Sequence, residues 1–250
     1  MRPVCKLPLA LISVAATTAG AEPRLAEELE QLRINTAYII EKGEFEMDIV
    51  PSYFDYEDAQ HRSVEAELEY AVSDRLMFEV EVPYHWRSFD GDDEDIDGKG
   101  NIEVGAKWQL TQRGNFAAAF NVGVELPASS ERPDIANDLW GVELTVPLSF
   151  RFPESHMSLH IEPGVEWEEH EGFEEQLLNV ALEHRPGDSL LTLQLGSNIT
   201  REEGDVEAYI APAFELAAAG SPFQFGMALP IGLTSESANW GVLFDLEIEF

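Results

Sequence analysis

From about residue 44 to its last residue, the chain alternates apolar and polar side chains with a period of two. Its final segment, GVLFDLEIEF, places Val242, Phe244, Leu246, Ile248 and Phe250 on one face of an extended strand and mostly acidic residues on the other. One face is apolar to the last residue. This pattern predicts an all-β protein whose strands separate an apolar environment from a polar one.

The alternating segments are separated by links of unequal length. The links after even-numbered segments are short, as in SDR and RPGD, whereas the other links are generally longer, as in SFDGDDEDIDGKGN and PASSERPDIANDL. An even number of roughly ten-residue alternating strands, with short turns at one end and long loops at the other, is typical of outer-membrane β-barrels. The sequence therefore predicts a closed antiparallel transmembrane β-barrel of about 12 strands, with both chain ends on the short-turn, periplasmic side and a last strand that pairs with the first. The predicted strands are 44–56, 64–73, 76–87, 101–111, 115–126, 139–152, 157–168, 176–185, 189–199, 205–217, 222–233 and 240–250.

A soluble exported β-sandwich would show the same alternation, with its apolar face turned inward. It would explain neither the unequal links nor the aromatic residues near the strand ends. Trp and Tyr concentrate at the two interfaces of a bilayer. We therefore favour the barrel and expect these residues to form its aromatic girdles: Tyr84, Trp86, Trp108, Phe150, Phe152, Trp167 and Trp240.

The N-terminal residues have the pattern of an export signal. Arg2 and Lys6 precede a short apolar run, and Ala19-Gly20-Ala21 has the small-x-small form of a cleavage site. A buried N-terminal helix is the alternative. We predict a signal peptide at 1–21, a helical or irregular periplasmic segment or partial plug at 22–43, and an outer-membrane barrel at 44–250 of a Gram-negative cell. The terminal Phe250 resembles the signal that barrel assembly machinery recognises.

The charge balance excludes some partners. The chain carries 48 acidic and 15 basic residues, for a formal net charge of -33. Nucleic acids require clusters of Lys and Arg, so they are not expected partners. The expected partners are outer-membrane lipid, the assembly machinery and small solutes.

Strand parity turns many carboxylates towards the lumen. Rings of carboxylates favour cations in a pore, so we predict a cation-favouring channel. Acids that only keep the inner wall wet, or a high-salt composition throughout the source organism, are the alternatives. Parity also turns Glu125, Glu166, Glu207 and Glu215 inward. The candidate lining residues are Glu65, Glu67, Glu69, Glu79, Glu81, Glu103, Glu143, Glu162, Asp245, Glu247 and Glu249, with Lys107 and Arg151 as the inward cations.

No spacing indicates an enzyme. His85 and His160 point inward by parity, and we expect them near Glu81 and Glu162. A general base also needs a nucleophile or a positioned water, and no pattern supplies one. The acidic loop DGDDEDIDGKG lacks the glutamate that closes a calcium loop. We predict no catalytic residues, no metal site and no cofactor.

One stretch has motif detail. YAVSDRLMFEVEVPYHW, followed by GKGNIEVGAKWQL, resembles the outer-membrane transporter family of the phenol-degradation meta-pathway. Asn101 replaces that family's usual aspartate and Trp108 its usual tyrosine. The resemblance implies a barrel and a passive channel, and the family's name suggests aromatic substrates. The matching residues are Ser73-Asp74-Arg75-Leu76, Val82-Pro83-Tyr84, Gly98, Gly100, Ile102, Gly105, Lys107 and Trp108.

The sequence thus predicts a passive outer-membrane channel or transporter for small solutes, including aromatic or other small organic compounds. A non-conducting structural or adhesion barrel with acidic extracellular loops is the alternative. No residue set selects a phenol.

Overall fold

A computed structural model describes residues 36–89, 95–128, 140–169, 172–186, 190–202, 204–217 and 222–250. The predicted signal peptide and most of the 22–43 segment lie outside these ranges. No helix of the described chain is long and apolar enough to cross a membrane.

The described residues form fifteen hydrogen-bonded strand segments and one short 3-10 helix, Pro153–Ser155. The strands are β1 Phe45–Asp55, β2 Ala59–Ser73, β3 Leu76–Phe89, β4 Ile96–Lys99, β5 Ile102–Arg113, β6 Phe116–Leu126, β7 Gly141–Thr145, β8 Leu148–Phe152, β9 Met157–Glu168, β10 Gly172–His184, β11 Leu191–Glu202, β12 Asp205–Ala217, β13 Phe223–Ala228, β14 Ile231–Gly232 and β15 Trp240–Glu249.

Neighbouring strands pair antiparallel, and the last strand closes the sheet on the first. Met47 lies opposite Ile248 and Tyr53 opposite Val242, while Phe223 on β13 lies opposite the same Ile248 from the other side. Closure leaves no sheet edge, which is the condition for a β-structure to span hydrocarbon. The predicted all-β closed antiparallel barrel, with its last strand between its predecessor and β1, is confirmed.

Fifteen segments make twelve barrel strands, because three barrel strands are each interrupted once: β4/β5, β7/β8 and β13/β14. Two of the breaks fall at Pro147 and Pro230, since proline has no N–H to donate to the ladder. Their carbonyls still accept, Pro147 from the Ala119 N–H (2.9 Å) and Pro230 from the Gly241 N–H (2.9 Å). The ladder therefore continues past each proline.

The barrel has two ends, which we name by their connections. The lower end carries the turns 74–75 and 114–115, the 3-10 helix, and Phe250, whose N–H donates to the Phe45 carbonyl (2.8 Å). The upper end, on the opposite side of the barrel, carries the connections 56–58 and 233–239. The predicted contrast in link length is partly wrong, because β2 begins at Ala59 and β11 runs to Glu202, which leaves tight upper links at 56–58 and 203–204. The alternation simply continues further than the predicted boundaries.

The outer face of the barrel is apolar and carries aromatic pairs near both ends. Tyr84 packs on Trp86 and Trp140 on Trp167 near the upper end, with ring centroids 4.6 and 4.9 Å apart. Phe116 packs on Phe150 near the lower end at 5.1 Å. Exposed leucine, valine and phenylalanine side chains lie between these bands. This is the surface that a lipid environment requires.

Candidate functional site

The barrel encloses a cavity of about 420 Å³. Thirteen carboxylates line it, and Lys107 is the one Lys or Arg side chain among the lining residues that the structure describes. The Lys107 ammonium interacts electrostatically with Glu69, Glu79 and Glu67. The lining carboxylates are Glu46, Asp48, Glu67, Glu69, Glu79, Glu81, Glu103, Glu143, Glu162, Glu183, Glu215, Asp245 and Glu247.

Three of the candidate lining residues lie away from the cavity lining. Glu65 is buried in the wall at 1 % exposure, Glu249 lies at the lower rim beside a second, smaller pocket, and the Arg151 guanidinium lies 4.0 Å from the centre of the Tyr38 ring. The remaining ten line the cavity: Glu67, Glu69, Glu79, Glu81, Glu103, Lys107, Glu143, Glu162, Asp245 and Glu247.

Some lining residues were missing from the predicted set. Glu46, Asp48 and Glu183 line the cavity, and strand parity within EFEMDIV would have found the first two. Arg87 is a further inward cation, because it lies directly opposite the fully buried His61.

Strand register joins the acids into two rows across the barrel wall. In each row every residue lies opposite the next one on the neighbouring strand, about 4.8 Å away. We call them the first and second acidic rows. The first runs through Glu249, Glu46, Glu69, Glu79, Gly105, Gly123, Glu143, Glu166, Glu175, Glu202 and Asp205. The second runs through Glu247, Asp48, Glu67, Glu81, Glu103, Glu125, Gly141 and Glu168.

The first row crosses the full height of the barrel. It begins at Glu249 beside the lower rim and ends at Glu202 and Asp205, which flank the upper link 203–204. The row rises from the lower end to the upper end because the strands of a closed barrel are tilted and staggered. Carboxylates on adjacent strands of the row lie within one Debye length of each other at physiological salt, so the fields of such neighbours add.

Glycines give two of these carboxylates their place on the wall. A Cβ at Gly105 would overlap the Glu79 carboxylate, and a Cβ at Gly123 would overlap that of Glu103. Both carboxylates lie flat against the neighbouring strand because these positions have no side chain. The cavity keeps its width as a result.

The inward residues in the middle of β11 and β12 are uncharged, and we call this region the neutral wall. It consists of Thr192, Gln194, Gly196, Asn198 and Thr200 on β11 with Tyr209, Ala211 and Ala213 on β12. Above it, Val50, Phe54, Tyr209, Ala238 and Leu243 form an apolar cluster.

The connection 233–239 folds against this cluster and forms a roof. The Ala238 N–H donates to the Tyr209 hydroxyl (2.8 Å), and Ser237 Oγ both accepts from the Ala208 N–H (3.0 Å) and donates to the Ala208 carbonyl (3.1 Å). Ala238 is fully buried. The roof is therefore fixed to β12.

Residues 36–40 enter the barrel from the lower end and form a floor. The Ala37 N–H donates to Ser149 Oγ (3.0 Å), and Gln109 Nε2 donates to the Ala37 carbonyl (3.0 Å). Ala37 is fully buried against Ala117 and Ala119. Small inward side chains on β6 thus leave room for the segment.

Ser149 also begins a relay of side chains. Ser149 Oγ lies 2.8 Å from His160 Nδ1, and His160 Nε2 lies 3.0 Å from Glu183 Oε2. The expected neighbour Glu162 lies two residues along the same strand, whereas the hydrogen-bond partners of His160 come from the neighbouring strands β8 and β10. The connectivity is that of a nucleophile, base and acid, but Ser149 is 0 % exposed and its oxygen already accepts from Ala37. The relay anchors the floor.

His85 also departs from its predicted neighbour. Its Nδ1 lies 3.2 Å from Nε2 of His61, rather than beside Glu81, and both rings are buried. A side chain at Gly100 would collide with the His85 ring.

Some acids lie close enough together to share a cation. Among the described residues, four groups have ligand atoms within 4.8 Å of one another: Glu46/Asp48/Glu247, Glu65/Glu67/Glu81, Glu67/Glu69/Glu79 and Glu125/Glu166/Glu168. Hard cations such as calcium prefer such oxygen ligands. Acidic clusters are common without an ion, so the geometry alone assigns no metal.

Comparison with known proteins finds similarity in structure alone. No family model matches the sequence, and no curated protein matches it. The structure is similar to an outer membrane channel from Pseudomonas putida F1, with a TM-score of 0.70 and 13% identity over 86% of this chain and 98% of that chain.

Two further solved barrels are similar. The NanC porin has a TM-score of 0.55 and 8% identity over 82% of this chain and 98% of that chain. LpxR from Salmonella typhimurium has a TM-score of 0.51 and 10% identity over 81% of this chain and 99% of that chain. The chain has the fold of twelve-stranded outer-membrane β-barrels.

Proposed function

We propose that the protein is a passive channel of the Gram-negative outer membrane that passes small solutes and favours cations over anions. The observation that supports it best is the first acidic row, which crosses the barrel wall from the lower rim to the upper link. Low-dielectric walls focus the field of such charges and raise the local concentration of cations. Lys107 alone cannot neutralise thirteen carboxylates.

Reversal potential across a salt gradient tests the cation preference. Refolded protein in a planar bilayer should give a potential of the sign that cation passage requires. Glu79→Gln with Glu81→Gln should move the potential towards zero, because Glu79 lies in the first row and Glu81 in the second. Thr200→Val on the neutral wall is the matched control. An anion-selective pore, or one insensitive to the double substitution, would overturn the proposal.

We further propose that residues 36–40 form a partial plug on this pathway. Thr36, Tyr38, Ile39 and Ile40 all line the cavity. Ser149→Ala with Gln109→Leu removes both hydrogen bonds to the Ala37 backbone, so conductance should rise. Unchanged conductance in a correctly folded variant would show that the segment does not limit flow.

A non-conducting structural or adhesion barrel is the second candidate. The floor at Ala37 and the roof at Ala238 both favour it, since each is fully buried inside the barrel. Absence of conductance in wild type and in the floor variant would favour this function over the channel.

The location is part of the same proposal. The apolar outer face with aromatic bands supports a barrel in the outer membrane, exported by residues 1–21 and assembled through its C-terminal strand. A tag at Asp58 should be reachable on whole cells, whereas a tag at Gly114 should be reachable after the outer membrane is ruptured. Recovery in the soluble periplasm would contradict the location, and the reverse labelling would contradict the orientation.

A further inference from the structure

Two buried polar side chains line the cavity without a hydrogen-bond partner among the described residues. Asn121 is 3 % exposed and Thr145 is 1 % exposed, and Asn121 Oδ1 and Thr145 Oγ both lack a partner. The two residues lie directly opposite each other on β6 and β7. Leaving a buried polar atom unsatisfied costs about 1–3 kcal/mol, so the pair is suited to an occupant that can donate hydrogen bonds.

The surroundings specify the charge of that occupant. An amide oxygen accepts and does not donate, and the nearby Glu143 and Glu162 carboxylates line the same cavity. Lys107 lies opposite Asn121 on the other side, but it interacts electrostatically with four carboxylates, Glu69, Glu79, Glu67 and Glu162, which outnumber its single charge. The space between Asn121 and Thr145 therefore favours a cation with several N–H donors.

Apolar surface adjoins these acceptors. A Cβ at Gly164 would meet both the Thr145 methyl group (2.7 Å) and the Leu177 side chain (2.8 Å), so those two groups pack side by side over this glycine. Met77, Met227 and Leu243 line the same cavity. A hydrated metal ion gains nothing from this surface, whereas an alkyl or aryl group does.

We infer that the cavity binds an organic ammonium ion, with its N–H groups on Asn121 Oδ1 and Thr145 Oγ and its apolar body against Leu177. The cavity volume of about 420 Å³ falls within the usual range of small-molecule sites. This inference rests on the proposed function in placing the site on the solute pathway, and it names the class of solute.

Calorimetric titration of the refolded full chain tests the inference with four probes: n-hexylammonium, 1-hexanol, hexanoate and potassium chloride. Protein-free micelles correct for partition into detergent. Hexylammonium should bind at least about tenfold more tightly than hexanol, hexanoate or potassium, because only hexylammonium supplies both donors and an apolar chain. Equal binding of hexanol would show that the site recognises apolar bulk alone, and absence of hexylammonium binding would also overturn the inference.

Substitutions assign the binding to these two residues. Thr145→Val and Asn121→Leu should each weaken hexylammonium binding by about fivefold to tenfold, whereas Thr145→Ser keeps the hydroxyl and should keep the affinity. Thr200→Val is the matched control, because Thr200 is a buried inward threonine outside the cavity lining. Wild-type affinity in both Thr145→Val and Asn121→Leu would overturn the inference.

Heat-modifiable mobility on gels identifies variants that do not fold. If Asn121→Leu does not fold, the comparison of Thr145→Ser with Thr145→Val decides the outcome. The binding inference and the channel proposal can be contradicted independently of each other. A cation-selective pore without hexylammonium binding overturns this inference alone, and hexylammonium binding to a non-conducting barrel overturns the channel proposal alone.

Discussion

The acidic rows and the neutral wall are built by the same alternation, yet they present different chemistry to one interior. Every second residue points inward on both sides. On β2 and β3 those residues include Glu67, Glu69, Glu79 and Glu81, whereas on β11 they are Thr192, Gln194, Gly196, Asn198 and Thr200. Alternation therefore decides which residues face inward, and the choice of inward residue decides which side of the lumen carries the most charge.

The residues that carry the charge of the interior also differ from the residues that hold the roof and the floor. The roof is fixed to Tyr209 and Ala208 on the neutral side, and the floor is held by Ser149 and Gln109. Neither set of contacts uses a carboxylate of the acidic rows. The charge of the acidic rows and the contacts that close the interior can therefore be altered independently.

The largest effect should come from removing charge from the acidic rows. Glu67→Gln with Glu103→Gln removes two members of the second row. At about 6 Å in water each carboxylate contributes roughly 0.7 kcal/mol to cation attraction, or about a threefold change in local cation concentration per charge. The ratio of potassium to chloride permeability, measured from reversal potential, should fall by roughly tenfold. An unchanged ratio would mean that the row does not face the ion path.

Adding charge to the neutral wall should have a smaller and opposite effect. Gln194→Glu adds one carboxylate to β11 in place of the amide that donates to Glu183 Oε1 (3.4 Å), so the same ratio should rise by no more than roughly threefold by the same estimate. Gln194→Leu is the uncharged control. Equal effects of the glutamate and leucine variants would show that size, rather than charge, governs passage beside β11.

Acid should weaken the contrast between the two walls. Free Asp and Glu side chains titrate near about 3.9 and 4.3, so their charge is present above this range and is lost as pH falls through it. Cation selectivity of wild type should decline between about pH 6 and pH 3, and the Glu67→Gln with Glu103→Gln variant should change less. Equal pH dependence in both would place the titrating groups elsewhere.

Substitution of Gly105, against which the Glu79 carboxylate packs, tests the structure of the first acidic row. Gly105→Ala forces the Glu79 carboxylate off the wall and should cost about 1–3 kcal/mol as overpacking does, while narrowing the cavity and lowering conductance. In Gly226→Ala the nearest atom to the new Cβ is 3.2 Å away, so this control should be milder. Chemical denaturation and single-channel conductance measure both. Equal tolerance of the two substitutions would argue against the packing of Glu79 on Gly105.

The smallest effect should come from the roof. Tyr209→Phe removes the acceptor of the Ala238 N–H and should lower stability by about 1 kcal/mol without changing ion selectivity. Denaturation midpoint and reversal potential check the two parts. A change in selectivity would show that the neutral wall also shapes the ion path.

The sequence by itself determined the class of fold, the strand count and the inward direction of most lining carboxylates. Period-two alternation and the need to pair every backbone group in hydrocarbon leave only a closed barrel. That is why strand parity alone assigns Glu67, Glu79 and Asp245 to the interior, where they line the cavity. Two strand ends differ from the prediction, since alternation continues to Ala59 and Glu202 beyond the predicted limits.

Only the tertiary structure decided which inward residues meet. Register and stagger between strands, which no single strand encodes, align Glu46, Glu69 and Glu79 into one row and bring His160 to Ser149 and Glu183. The seating of Ala37 depends on small side chains at 117 and 119, far from it in sequence. Contacts between distant segments follow from closure of the whole sheet, because shear fixes them together, whereas alternation is a property of each strand alone.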